Sequence, residues 1–437
     1  MNLAALKPAA PLVELTAAEI AASVASGRTT CEAVARAHLA RIEEREPQVL
    51  AWQYLNPGQV LEQARALDRR GARGPLAGVP FGIKDIIDTC DMPTEMGSPI
   101  YAGHRPRGDA ACVALSRKAG GLLMGKTVTT EFANRHPGKT RNPHDPSRTP
   151  GGSSSGSAAA VAAGMVPLAI GTQTTGSTIR PASFCGVFGY RPTWGDLRCV
   201  GVKEAAGSLD TLGLLARSIE DIALYRDVLL GADPEPIPRE ARAPRIGFCR
   251  THFWPRVEPG TRQMIEDAAR RLARAGAQVK DVELPAEFQE IEDTHLAISS
   301  YEFARNFTWE IENHWDRISE TLRNGRLKHG LACSSGRYRN AREHAERCRA
   351  LMPQAFADCD VLLTAAAAGE APVGLDATGD ASFCLIWTTT HVPSVTLPVF
   401  TGPHGLPVGV QLVARRNADR ALFAAARWAF QALHAPA

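Results

Sequence analysis

Short apolar runs alternate along this chain with stretches whose apolar residues recur at helical spacing. Near the N-terminus, Thr16 with Glu19 and Thr29 with Glu32 each form a capping-box pattern, so two helices are predicted, with Gly27 as the stop between them. VPFGIKDII, ACVALSRKAG and GLLMGKT follow as strand, helix and strand, the rhythm of a mixed or parallel sheet. Residues 157–164 read as a short buried helix and 167–171 as a strand. After Pro192 the pattern loosens. The prolines and charges of 232–245 make that stretch the best linker candidate. A strand RIGFC, an amphipathic helix over 261–275 and a strand QVKDVEL come next, then a helical, charged region at 287–357. Its aromatics Tyr301, Phe303, Phe307, Trp309 and Trp315 are expected mainly in the core, with some candidates for the mouth of a site. The tail returns to strands in DVLLTAA, PSVTLPVF and VGVQLVA and ends in a helix over 419–433. This order predicts an α/β fold of three α/β/α layers, with a mixed, largely parallel sheet flanked by helices.

The chemistry concentrates in GGSSSGSAAAVAAGMVPLAIGTQTTGS, residues 151–177, where two small-residue turns each carry a serine. An ordinary serine hydroxyl needs a base before it attacks a carbonyl, and histidine is scarce near these turns. Lys84 can serve if it is neutral, and its place in an apolar run favours loss of the proton. Two serine hydroxyls are suitable partners for a buried amine, and one can relay the proton between lysine and attacking serine. Gly151 and Gly152 allow backbone angles that would aim Ser153. The turn Thr174, Thr175, Gly176, Ser177 can present N–H groups as an oxyanion hole, each donor contributing about 2.7–4 kcal/mol in a transition state. A phosphate loop is excluded because no G-x-x-x-x-G-K-[ST] occurs, and a flexible linker because alanine-rich apolar sequence follows at once.

GPLAGVPFGIKDIIDT (74–89), GKTVTTEFA (125–133), the long segment 141–193 and the closing GLPVGVQLVAR (405–415) together resemble the amidase signature hydrolases. The resemblance implies one domain over 1–437, with a core at 70–230 and 358–437 and a more variable helical region at 245–357. It implies a Ser-cisSer-Lys triad in which Ser177 is the nucleophile, Ser153 the bridging serine after a cis peptide bond, and Lys84 the base. DIIDTCDMPTEMGSPIYAG and GTQTTGSTIRPAS are most similar to malonamidase-type members, where an arginine just after the nucleophile meets a substrate carboxylate; Arg180 holds that position. The residues themselves leave Arg180 either a substrate clamp or a support for the turn. Many members read GTDTGGS, so Gln173 and Thr175 here alter the polarity and width of the pocket, and Gln173 is expected at the substrate. Small carboxylate-bearing amides and aryl amides are the expected substrates. Carbamates on the same triad, and the glutaminase-type subunit of a tRNA-dependent amidotransferase, are the alternatives.

Composition narrows the partners. With 49 basic against 46 acidic residues, the net charge of +3 supplies no strong field, so neither nucleic acid nor membrane is an expected partner. The apolar stretch 158–172 is broken by Gly164 and Pro167 and is too short to span a bilayer. Ten scattered cysteines without C-x-x-C pairs, and a start lacking a signal-peptide pattern, point to a reducing, cytoplasmic setting. His136, His144, His391 and His404 lie in loops without metal-ligand spacing, so neither metal nor organic cofactor is expected. The chain leaves a homodimer open.

Overall fold

The computed structural model describes residues 11–238 and 242–434. Its frame is one eleven-stranded sheet: β1 (Trp52–Leu55), β2 (Pro80–Lys84), β3 (Leu122–Thr127), β4 (Leu168–Gln173), β5 (Phe188–Arg191), β6 (Thr211–Ala216), β7 (Arg245–Cys249), β8 (Gln278–Val282), β9 (Val361–Ala365), β10 (Ser394–Thr401) and β11 (Pro407–Ala414). In space they run β1-β3-β2-β4-β6-β5-β10-β11-β9-β7-β8. The sheet is mixed, as expected, but not largely parallel. Only β2 with β3 and β4, and β7 with β8 and β9, pair in parallel; the other pairings are antiparallel. Two parallel units flank an antiparallel centre, built partly from β6, which sequence periodicity did not register.

Helices cover both faces, and strand alternation decides which side chains meet them. Leu122, Met124, Ala169 and Leu215 face the helices Cys31–Val49, Pro57–Arg69 and Ser155–Ala162, while Leu123, Leu168, Ile170, Leu214 and Ala216 pack into the larger core with Ile222, Tyr225 and Leu422. The first helix, Ala17–Ala25, carries the expected capping box of Thr16 and Glu19. The second is capped by Thr30 rather than Thr29, and Glu32 pairs with Arg36 and Arg65 instead of closing a box. The expected linker runs without regular structure to β7, with 239–241 outside the described residues. In the 287–357 region the long helices are Ile291–Asn306 and Ser335–Phe356. Among the described residues, no helix is long and apolar enough to cross a membrane.

Candidate active site

β2 and β4 are parallel neighbours in register at Ile83 and Ile170, so their carboxyl ends lie side by side. Active sites of α/β sheets form at such ends. Lys84 closes β2 and is fully buried. Its Nζ lies 2.7 Å from Ser153 Oγ and 2.8 Å from Thr172 Oγ1, the latter near the end of β4. Burial pushes the Lys84 ammonium well below its ordinary range, and the Asp210 carboxylate opposes that shift. A lysine held among hydroxyls rather than carboxylates is poised to be neutral, which is what a proton acceptor requires. The nearby buried Lys126 is differently placed: it donates to the Ile87 carbonyl and Thr94 Oγ1 and pairs with Asp85.

Ser153 follows Gly151, at φ +80°, and a cis Gly152–Ser153 peptide, and it stands just ahead of the buried helix Ser155–Ala162. Ser177 lies in the turn after β4. Four carbonyls of that turn are pinned from behind. Thr174 O accepts from His295 Nε2 at 3.0 Å, Thr175 O from Thr388 Oγ1 at 2.8 Å, Gly176 O from the Arg180 N–H at 3.1 Å, and Ser177 O from the Ser154 N–H at 3.2 Å. Fixed carbonyls fix the opposing N–H groups, the preorganisation an oxyanion site needs. Burial, reinforced by Arg326, pushes the His295 imidazole down to about 3, so the ring is neutral and its bond to the Thr174 carbonyl assigns the proton to Nε2.

Gln173 requires a correction. It is fully buried and does not line the cavity; its Oε1 accepts from the N–H groups of Thr178 and Ile179 at 2.9 and 3.1 Å, holding the start of the Ile179–Cys185 helix. An amide oxygen accepts these two bonds without bringing a charge beneath the turn. The packing there is tight enough that a Cβ on Gly213 of β6 would fall on Thr178 Oγ1. Gly213→Ala is therefore expected to cost about 1–3 kcal/mol and to lower kcat by shifting the turn. A thermal melt with steady-state kinetics checks both, and an unchanged melt would show that Thr178 has room to move.

Ser153, Thr174, Thr175, Gly176, Ser177 and Arg180 all border one cavity of about 470 Å³. Arg180 is 5% exposed; its Nη2 donates to the Gly152 carbonyl at 2.6 Å and to Thr378 Oγ1 at 3.1 Å, and its Nε is buried without a partner. Burial pushes this guanidinium down to about 10, with Cys384 and Asp380 acting upward and Arg135 downward. Among the described residues, none of the aromatic candidates for the mouth lines this cavity. No phenylalanine, tyrosine or tryptophan lines the cavity, Phe303 and Phe307 are core, and Trp309 and Trp315 are exposed elsewhere. His144 and His391 hold backbone carbonyls and His404 pairs with Glu370. Sequence reasoning missed Thr172, Asp210, His295, Thr378 and Thr388. Each is an ordinary residue locally, and only the fold brings it here.

Comparison with known proteins gives the site its context. The Amidase family profile matches residues 33–423. A glutamyl-tRNA(Gln) amidotransferase subunit from Chloroflexus aggregans is 35% identical, over 92% of this chain and 93% of its own length. A native peptide amidase from Stenotrophomonas maltophilia is 30% identical with a TM-score of 0.83, covering 96% of this chain and 97% of its own. A protein from a vestigial complex that reveals the origins of an s-triazine catabolic enzyme is 29% identical with a TM-score of 0.87, covering 95% of this chain and 98% of its own. These similarities do not single out malonamidase-type members. With its sheet, its serine turns and this match over most of its length, the chain belongs to the Amidase family and is an enzyme acting on amide C–N bonds.

Proposed function

We propose that the chain hydrolyses small, carboxylate-bearing amides, as malonamidase-type members do, through a Ser-cisSer-Lys relay. Ser177 Oγ attacks the carbonyl carbon while its proton passes to Ser153, whose own proton goes to the neutral Lys84. The N–H groups of 174–177 stabilise the oxyanion, and the amine departs with a returned proton. Water then cleaves the acyl-enzyme by the same relay and releases the acid. The observation that carries this reading is the 2.7 Å contact between the buried Lys84 Nζ and Ser153 Oγ, on the wall of the cavity that Ser177 also borders. Arg180 in the same wall supports a carboxylate on the substrate, and the lack of aromatic lining favours it over an aryl group. Carbamates would use the same relay, followed by loss of carbon dioxide. Ten unpaired cysteines support a cytoplasmic location.

If Arg180 holds a carboxylate through paired charge-assisted bonds, Arg180→Ala should raise KM about 10- to 100-fold for an amide with a terminal carboxylate, and far less for its methyl ester. Arg180→Lys should restore little, because it lacks the planar fork. Steady-state kinetics on the matched pair decides; equal losses on both, with a lower melting temperature, would make Arg180 a support of the turn. The 35% identity to amidotransferase subunits favours one other reading, a glutaminase-type component working in a heteromeric assembly. Turnover of simple amides by the purified chain, without tRNA or ATP, supports the hydrolase. Activity that appears only with partner proteins supports the assembly.

A further inference from the structure

Arg180 is not the only cation on the cavity. Arg135, from the segment after β3, and Arg326, from the irregular turn Arg323–Leu327, line it as well, so three guanidinium groups from separate parts of the chain converge. Among the described residues, the acidic groups of the lining form no ion pair with them. Glu292 is taken up by Arg256 at 2.6 Å, Asp380 accepts from the N–H and hydroxyl of Ser382, and Asp376 and Asp380 are exposed at the rim. Among the described residues, neither Arg180 nor Arg326 has a salt-bridge partner. Burial and the charge of Arg135 act downward on both, while Asp380 acts upward on Arg180 and Asp210 on Arg326 without reaching salt-bridge distance of either. Unpaired cations in a partly desolvated cavity are costly unless a ligand supplies the counter-charge. Asp210 is itself taken up by the Thr174 hydroxyl and the N–H groups of Ala205 and Ala206, so one carboxylate at Arg180 would leave Arg326 without an ion-paired counter-charge among the described residues.

Resting on the amidase reading above, we infer that the cavity takes a doubly anionic substrate, a small amide bearing two carboxylates. One carboxylate meets Arg180 and the second meets Arg326, with Arg135 adding to the field of the cavity. Two anion positions select for the number of charges, so monoacids bind without the second contact.

The test uses N-succinylglycine, which has a carboxylate on each side of one amide, together with its two monomethyl esters. Calorimetry on Ser177→Ala protein reads binding without turnover. The diacid should bind at least about tenfold more tightly than either monoester, the effect of one charge-assisted contact. Arg326→Gln should remove the preference over one monoester and Arg180→Gln the preference over the other, so the two variants differ in which ester they treat as equal to the diacid. Arg326→Lys, which keeps the charge, guards against misfolding of the glutamine variant and should retain part of the preference. Equal affinity for diacid and monoesters in the parent protein, or one uniform loss across all three ligands in Arg326→Gln and Arg326→Lys, would overturn the inference. Succinamate turnover by the wild-type chain separates the two claims. Turnover without a diacid preference sinks this inference alone, whereas a diacid preference without turnover of any amide upholds the two-anion site and sinks the amidase reading.

Discussion

Ser177→Ala is expected to fold like the parent chain and to lose about 10⁶-fold in kcat, the scale seen when a serine nucleophile is removed from a relay that acts as a unit. The fold should survive because the turn is held by main-chain contacts that alanine keeps: the Ser177 carbonyl bonds the Ser154 N–H, and Gly176 and Thr175 are pinned by Arg180 and Thr388. Substrate binding should change little, since Arg180 and the cavity walls stay in place. Kinetics and a thermal melt measured together separate the cases. A variant that melts normally yet retains a few per cent of activity would move the nucleophile to another group.

Lys84→Arg is the second large effect, a loss of about 10²- to 10⁴-fold, the range of a positioned general base. Guanidinium stays protonated at any working pH and cannot accept the proton from Ser153. In the parent chain the rate should rise with pH through an ionisation below the ordinary lysine value of 10.5, because burial disfavours the ammonium. The same displacement is linked to stability. Between the folded and the unfolded pKa of Lys84 the unfolded chain holds a proton that the folded chain has released, so stability rises with pH across that window and this contribution is flat below it. A pH–rate profile checks the first statement. A flat profile from pH 6 to 10, or an active Lys84→Arg enzyme, would eliminate lysine as the base.

The parts of the site legible in the sequence are those whose chemistry is local. Lys84 stands out as a charge inside an apolar strand, and Ser153 and Ser177 stand in glycine-bearing turns; strand pairing of β2 with β4 brings Lys84 to Thr172, and Ser154, bonded to the Thr172 main chain, sets Ser153 beside the same amine. Gln173 is misplaced by sequence reasoning because sequence reports that a side chain is polar, not which way it points, and this one turns inward to cap a helix. His295, Arg326 and Thr388 are out of its reach for a different reason. They arrive from segments far along the chain, through tertiary packing that no periodicity encodes. The antiparallel centre of the sheet is hidden likewise, since β5, β6, β10 and β11 combine early and late parts of the chain. The cap of the second helix slips by one residue because Thr29 and Thr30 are adjacent, and only the backbone shows which hydroxyl meets the Ala33 N–H.

The proposed mechanism turns on a covalent acyl group at Ser177, and mass spectrometry reads that directly. Wild-type protein quenched during turnover of an activated acyl substrate, or treated with a fluorophosphonate, should gain the mass of one adduct, and peptide fragmentation should place it on Ser177. Ser177→Ala protein should gain none. An adduct on Ser153, or the same adduct on the alanine variant, would contradict the mechanism.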